Sequence, residues 1–225
     1  PYDPETVDTV EFGIKSEMLD GRLRMNAAAF YSDYQDMQVT VQRATSAGGV
    51  SSQVLNAADS TVKGFELESS FAVTPTFKLT GVLGYIDAEF DEVAVFNAET
   101  QQVEDVSDLW SFQNTPEITA NLGFTKEFEV ANGALIWSTN VSYRDDTQIF
   151  ELPSPLDEEA YSLTNTSLVW YSNSSQWTVG LHAKNVFDEE YRVSGYNFGS
   201  TFGDNVVTGY YGDPRTVSLS VGYRF

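Results

Sequence analysis

The chain has 225 residues, and 12 Lys and Arg against 33 Asp and Glu give it a formal net charge of −21. Such a surface repels nucleic acid, and 41% hydrophobic with 14% aromatic residues is too apolar for a disordered chain. With no Cys there is no disulfide framework, thiolate metal cage or thiol nucleophile, and no apolar run approaches the ~18 residues of a membrane helix.

Barrel strands escape that last test, because only every second residue need be apolar. The chain opens at Pro1 without a basic-then-apolar leader and reads as a piece of something longer. In the first stretch Val10, Phe12, Ile14 and Met18 oppose Glu11, Gly13, Lys15 and Glu17, the two-residue period of a strand. Leu19-Asp20-Gly21 turns the chain into a strand over 22–42, blurred where Phe30 stands beside Tyr31. After a polar connection at 43–52, Phe65, Leu67, Phe71 and Val73 oppose Gly64, Glu66, Glu68 and Ser70. Thr74-Pro75-Thr76 leads into a strand over 77–89, with Val82 and Ile86 on its polar side.

A long connection at 90–114 follows. Ile118, Ala120, Leu122 and Phe124 then oppose Glu117, Thr119, Asn121, Gly123 and Thr125. Past Ala131-Asn132-Gly133, Leu135, Trp137, Thr139, Val141 and Tyr143 oppose Ala134, Ser138, Asn140, Ser142 and Arg144. A connection at 145–160, a strand ending near Trp170 and Tyr171, and a turn at Asn173-Ser174-Ser175 come next. Trp177, Val179, Leu181 and Ala183 oppose Thr178, Gly180, His182 and Lys184 before the last long connection at 189–214. In the final strand Val217, Leu219, Val221, Tyr223 and Phe225 face away from Thr216, Ser218, Ser220, Gly222 and Arg224 without exception.

Short and long connections therefore alternate, which puts tight turns at one rim of an antiparallel meander and long loops at the other. That is the asymmetry of an outer-membrane barrel. A soluble sandwich also alternates, but three features favour the barrel. The polar faces are rich in Gly, Ser, Thr and Asn; several strands exceed the usual five or six residues; and aromatics gather at strand ends as a girdle would. The girdle candidates are Tyr31, Tyr34, Tyr85, Phe90, Tyr143, Phe150, Tyr161, Trp170, Tyr171, Trp177 and Tyr223.

The stretch from Leu181 to Tyr191 (LHAKNVFDEEY) and that from Tyr210 to Phe225 (YYGDPRTVSLSVGYRF) resemble the closing segment of TonB-dependent outer-membrane receptors. Val62 to Glu68 (VKGFELE) and Pro4 to Lys15 are similar to two earlier strands of that family. The resemblance implies an all-β fold: an antiparallel transmembrane barrel of the 22-stranded type, residues 1–225 supplying about nine C-terminal strands. A plug domain and a TonB-contacting segment would lie upstream. It implies import of a scarce nutrient (siderophore-iron, vitamin or oligosaccharide) with energy from the TonB complex, and contact with outer-membrane lipid, lipopolysaccharide and the barrel-assembly machinery. Tyr223 and Phe225 would carry the assembly signal; the plainer reading of Phe225 is a last lipid-facing residue.

No residues suggest catalysis, a resident cofactor or a metal site. His182 is the only histidine and lies between Gly180 and Lys184 on a polar face, a lumen-lining position. No nucleophile elbow, P-loop, dinucleotide fingerprint or zinc-protease motif occurs. Acidic residues crowd the long connections (Asp87, Glu89, Asp91 and Glu92; Glu99, Glu104, Asp105 and Asp108; Asp145 and Asp146; Asp157 to Glu159; Asp188 to Glu190). Lacking a calcium-loop spacing they read as a solvated, self-repelling surface, with divalent-cation bridging as the other reading. The 189–214 connection carries Tyr191, Tyr196, Phe198, Phe202, Tyr210 and Tyr211 among glycines. Tyr196, Phe198, Tyr210 and Tyr211 are the ligand-binding candidates, stacking a sugar or an aromatic siderophore group; the same rings could instead continue the girdle. A passive outer-membrane channel and a secreted carbohydrate-binding sandwich are the alternative functions.

Overall fold

Apart from Leu19, backbone turns fall where small and polar residues allow them. Leu19 (φ 55°), Asp20 (φ 57°), Gly21 (φ 80°), Asn132 (φ 65°) and Ser175 (φ 57°) all take the left-handed conformation that tight hairpins demand. The computed structural model describes residues 3–44, 50–97, 100, 102–198 and 206–225. In chain order the strands are β1 (Thr6–Met18), β2 (Leu23–Ala44), β3 (Val50–Thr74), β4 (Phe77–Asn97), β5 (Gln102–Asp105), β6 (Ile118–Val130), β7 (Gly133–Arg144), β8 (Tyr161–Ser172), β9 (Trp177–Lys184), β10 (Arg192–Asn197), β11 (Val207–Tyr211) and β12 (Thr216–Tyr223).

One antiparallel sheet runs in the order β1-β2-β3-β4-β6-β7-β8-β9-β12, with β5 added on the loop-side end of β4. The nine long strands expected from alternation are all present in chain order. The outer edges, β1 and β12, each pair on one side only within the described residues. In hydrocarbon such an edge would leave backbone donors and acceptors unpaired, which is why sheets that span a bilayer are closed.

Register aligns the apolar faces across the whole sheet. Phe12, Ala29, Phe65, Tyr85 and Ile118 form one row, and Leu122, Val141 and Thr164 part of another. Along β1 to β4, β7 and β8 the uncharged outward face runs for about nine residues, the length a tilted strand uses to cross a bilayer. Above it, the same face turns charged: Lys63 and Asp87 pair at 3.0 Å, and Asp8 stands opposite Asp33. Phe12 (77% exposed), Leu122 (68%) and Leu219 (69%) show that no layer of the described residues covers this face, unlike the packed inner face of a two-sheet sandwich.

Val82 lies opposite Glu68 and Asn121 on the polar face, as its sequence position implied. Phe30 is placed there as well, over Gly64; a Cβ on Gly64 would strike the Tyr85 carbonyl oxygen and crowd the Phe30 ring. Tyr31 points the other way, resolving the ambiguity of that pair. Of the girdle candidates, Tyr34 and Phe90 face the polar side with Ser60, and Tyr161 and Tyr171 do so with Arg144 and Ala134. They are not girdle residues.

Three of the long connections are more structured than the sequence suggested. The 43–52 stretch is taken up mainly by the ends of β2 and β3, paired down to Ala44 and Val50; residues 45–49 lie outside the described set. Within 90–114, β4 continues to Asn97 and pairs with β5. Within 189–214, β10 and β11 form a separate two-stranded hairpin. A bulge at Asp36 (φ 55°) bends β2 where it leaves the band, and the Asp36 amide donates to Asp59 Oδ1 at 2.9 Å. Beyond it, Val39, Ala58 and Val93 are buried under Phe90 and Trp110, with Phe90 and Phe112 stacked at 4.3 Å.

Asp105 ties this extension together. Its Oδ1 accepts from the Val93 amide at 2.9 Å and the Ser107 amide at 3.0 Å, which holds the carboxyl below its ordinary range. A depressed folded-state pKa means these bonds contribute above the normal carboxylate range and are lost as pH falls through the folded value. Protection factors at the Val93 and Ser107 amides should therefore hold through the ordinary carboxylate range and drop selectively only as the pH falls below it. Asp105→Asn should show the lowered protection already at neutral pH.

Candidate functional site

The loop-side rim carries the candidate residues. Alternation along β10 and β11 sends Tyr196 and Tyr210 to one face of their hairpin and Gly195, Gly209 and Tyr211 to the other. The Tyr196 ring stacks on Phe198 at 5.8 Å and meets Tyr210 edge-on at 6.0 Å. Three of the four expected ligand-binding residues thus form one aromatic surface, with Tyr196 54% and Tyr210 51% exposed. Tyr211 is exposed on the opposite face and is not part of it. Phe202, the remaining aromatic singled out in this loop, lies outside the described residues.

The underside of the hairpin is fixed. Leu156, 3% exposed, packs where Gly195 and Gly209 have no side chains. Arg192 Nε donates to Glu158 Oε2 at 2.7 Å, while its Nη1 and Nη2 donate to the carbonyls of Pro155 and Asp157, each at 2.8 Å. Glu158 and Thr147 exchange backbone hydrogen bonds at 2.9 Å, closing the 145–160 connection on itself. Below, Tyr191 stacks on Tyr161 at 4.7 Å and its ring fills the space beside Gly212. Arg192, Glu158 and Leu156 were not distinguished from their loops by sequence pattern. The one available signal was a basic residue standing directly after Glu189, Glu190 and Tyr191.

The two terminal motif segments meet each other. Asn185, 5% exposed, donates through Nδ2 to the carbonyls of Glu189 and Asp213 and accepts from the Glu189 amide at 2.8 Å. Asp188 Oδ1 accepts from the Arg215 amide at 2.8 Å, with the Arg215 guanidinium 3.7 Å from Oδ2. Asn185 and Asp188 also take positive φ, 46° and 60°, which Asn and Asp tolerate better than other side chains. These residues hold the base of the hairpin to the start of β12.

His182 lies on the polar face, 3.3 Å from Ser220 Oγ, beside an open hollow floored by Thr125, Ser138, Asn140, Asn165 and Lys184. Among the described residues no three His, Asp or Glu side chains converge as metal ligands. At the other end of the sheet, the Gln38 amide at 3.0 Å and the Tyr34 hydroxyl lower the pKa of Glu5. At the chain's end, Phe225 is fully exposed and packs edge-on against Tyr223 at 5.0 Å.

The sequence matches the family described as TonB dependent receptor-like, beta-barrel, over residues 1–186. It is 27% identical over 231 aligned residues to the metal-pseudopaline receptor CntO of Pseudomonas aeruginosa; the match covers this whole chain and 28% of that receptor. The chain thus spans little more than a quarter of the length of that curated relative. The fold is similar to the crystal structure of the ferric yersiniabactin uptake receptor FyuA from Yersinia pestis (TM-score 0.75, 20% identity, 98% of this chain and 30% of that one). It is also similar to the copper transporter OprC (TM-score 0.67, 18% identity, 98% and 31%).

Proposed function

Because the chain belongs to the TonB-dependent receptor β-barrel family, whose members are outer-membrane barrels, we propose that it is the C-terminal wall and rim of a receptor importing a metal–chelator complex. A plug and further strands upstream complete the structure, and TonB supplies the energy. The protein acts by capture and passage, without catalysis. The observation that carries the ligand-capture reading is the exposed aromatic surface of Tyr196, Phe198 and Tyr210, mounted on a hairpin braced from beneath. Flat rings of this kind stack on the planar groups of a chelator. The surrounding rim is acidic, so a neutral or cationic complex is favoured over an anionic one. The relatives named for metal–pseudopaline, ferric yersiniabactin and copper transport support a metal cargo over a vitamin or an oligosaccharide.

The test is uptake and surface binding of radiolabelled ferric chelates by cells expressing the whole receptor. Tyr196→Ala with Tyr210→Ala should weaken binding about tenfold, roughly 1.4 kcal/mol, while Tyr211→Ala leaves it unchanged. Equal binding by all three proteins would remove the hairpin from the site. Uptake that persists without TonB would favour the passive channel instead.

Tyr223 and Phe225 are proposed as the signal read by the barrel-assembly machinery, supported by the uninterrupted alternation of β12 and the free position of Phe225. Phe225→Ala should reduce the fraction of receptor reaching a heat-modifiable form in the outer membrane, without altering ligand affinity in the molecules that do.

A further inference from the structure

Across the apolar band the outward positions are aliphatic, aromatic, small or hydroxyl-bearing, with one exception. Register places Lys126 directly between Phe77 on β4 and Trp137 on β7, on the same face as Leu122, Phe124 and Phe128. Among the described residues of that band it is the only charged side chain facing outward. A lysine here would leave a cation against hydrocarbon, so its position requires a compensating partner. No ion pair among the described residues includes it.

The side chain shows where that partner must lie. Its stem follows the wall toward the rim of tight turns, where Nζ donates to Thr76 Oγ1 at 2.8 Å and stands 5.6 Å from the centre of the Phe128 ring. This is the snorkelling geometry of an amphipathic side chain near a bilayer surface. Thr76 takes up one of three ammonium donors and leaves the others for an anion. Immediately above, Thr74, Phe77, Phe124, Lys126 and Trp137 enclose an open apolar hollow of about 400 Å³. Its rings are locked edge to face: Phe77 on Phe124 at 6.2 Å and Phe124 on Trp137 at 4.8 Å. Trp137 Nε1 donates to Thr166 Oγ1 at 3.0 Å, which pins the indole in place.

The geometry points to a bound glycerophospholipid at this place, its phosphate on Lys126 and Thr76 and one acyl chain in the aromatic hollow. Tight turns mark the periplasmic rim of such barrels, so the lipid belongs to the periplasmic leaflet. The anionic phosphate supplies the charge complement that the wall lacks, and the hollow supplies the apolar surface for a chain. The site is separate from the rim that carries ligand capture, and does not depend on the imported cargo.

The experiment is native mass spectrometry of the whole receptor in detergent, titrated with phosphatidylglycerol, with diacylglycerol of the same chains, and with lipid A. One retained phosphatidylglycerol per receptor is expected, with at least fivefold lower occupancy by diacylglycerol or lipid A. Lys126→Gln should lower phosphatidylglycerol occupancy at least fivefold and Lys126→Arg should keep it. Lys78→Gln, at the same level on the opposite face beside Thr125, should change nothing. Undiminished retention by Lys126→Gln, or diacylglycerol or lipid A binding as well as phosphatidylglycerol, would overturn the assignment. The comparison among lipids needs no variant, so it decides the matter even if Lys126→Gln fails to assemble.

Discussion

Gly64→Val should leave the receptor largely without its folded, heat-modifiable form on a denaturing gel, through a destabilisation of about 3 kcal/mol or more. The reason is local and steric. At this point β3 and β4 approach so closely that a Cβ on Gly64 would run into the Tyr85 carbonyl oxygen, the Ile86 Cα and the Phe30 ring. Phe30 could rotate away, but the other two atoms belong to the backbone of the paired strand and move only if the ladder opens. Gly13 is the control, since a Cβ there meets nothing nearer than the Ala27 carbonyl oxygen at 3.7 Å; Gly13→Ala should change stability by less than about 0.5 kcal/mol. Normal assembly of Gly64→Val would show that the two strands are not held at this separation.

The second large effect is expected at Arg192. Arg192→Ala should free the β10–β11 hairpin from the 145–160 connection at a local cost of about 3 kcal/mol, read as faster amide exchange over 192–197 and 207–211. The substitution removes three hydrogen bonds at once and leaves Glu158, with 9% of its side chain exposed, without its partner. Arg192→Lys should recover only part of the loss, because an ammonium cannot reproduce the fork that spans one carboxylate and two carbonyls. Replacing both partners, Arg192→Met with Glu158→Leu, should restore much of the protection by removing the orphaned charge along with the pair. If the single and double variants exchange alike, the ion pair is not what anchors the hairpin.

Sequence alone carried the sheet far and the rim poorly. In the band every strand has one apolar neighbour face, so period two specifies both element and orientation, and β12 is read without error. Phe30 was opaque because its placement depends on Gly64, thirty-four positions along the chain and visible only through register. Above the band both faces meet water, alternation loses its meaning, and the paired ends of β2 and β3 resemble a polar loop. The same holds for β10 and β11, whose faces are distinguished by Leu156 rather than by any pattern of their own. Recognition that Tyr211 lies apart from Tyr196 and Tyr210 needed the pairing of Gly195 with Gly209. Lys126 was legible as a residue but not as an exception, since only the alignment of β4, β6 and β7 shows that its neighbours are Phe77 and Trp137.

The order of the sheet bears on how such a wall is made. Every pairing from β1 to β9 joins strands adjacent in the chain or separated only by the short β5, and β9 reaches β12 across the β10–β11 hairpin alone. Each step therefore closes a short segment of chain, and the entropic penalty of loop closure grows only slowly with the length of each insert. The sheet can lengthen one hairpin at a time, with the newest strand always presenting a free ladder to the next. On the proposed reading β1 meets the strand that precedes it, so the slow, non-local event falls to β12, whose free edge closes on a strand distant in the chain, and variants along that edge should alter the rate of assembly more than those in mid-sheet.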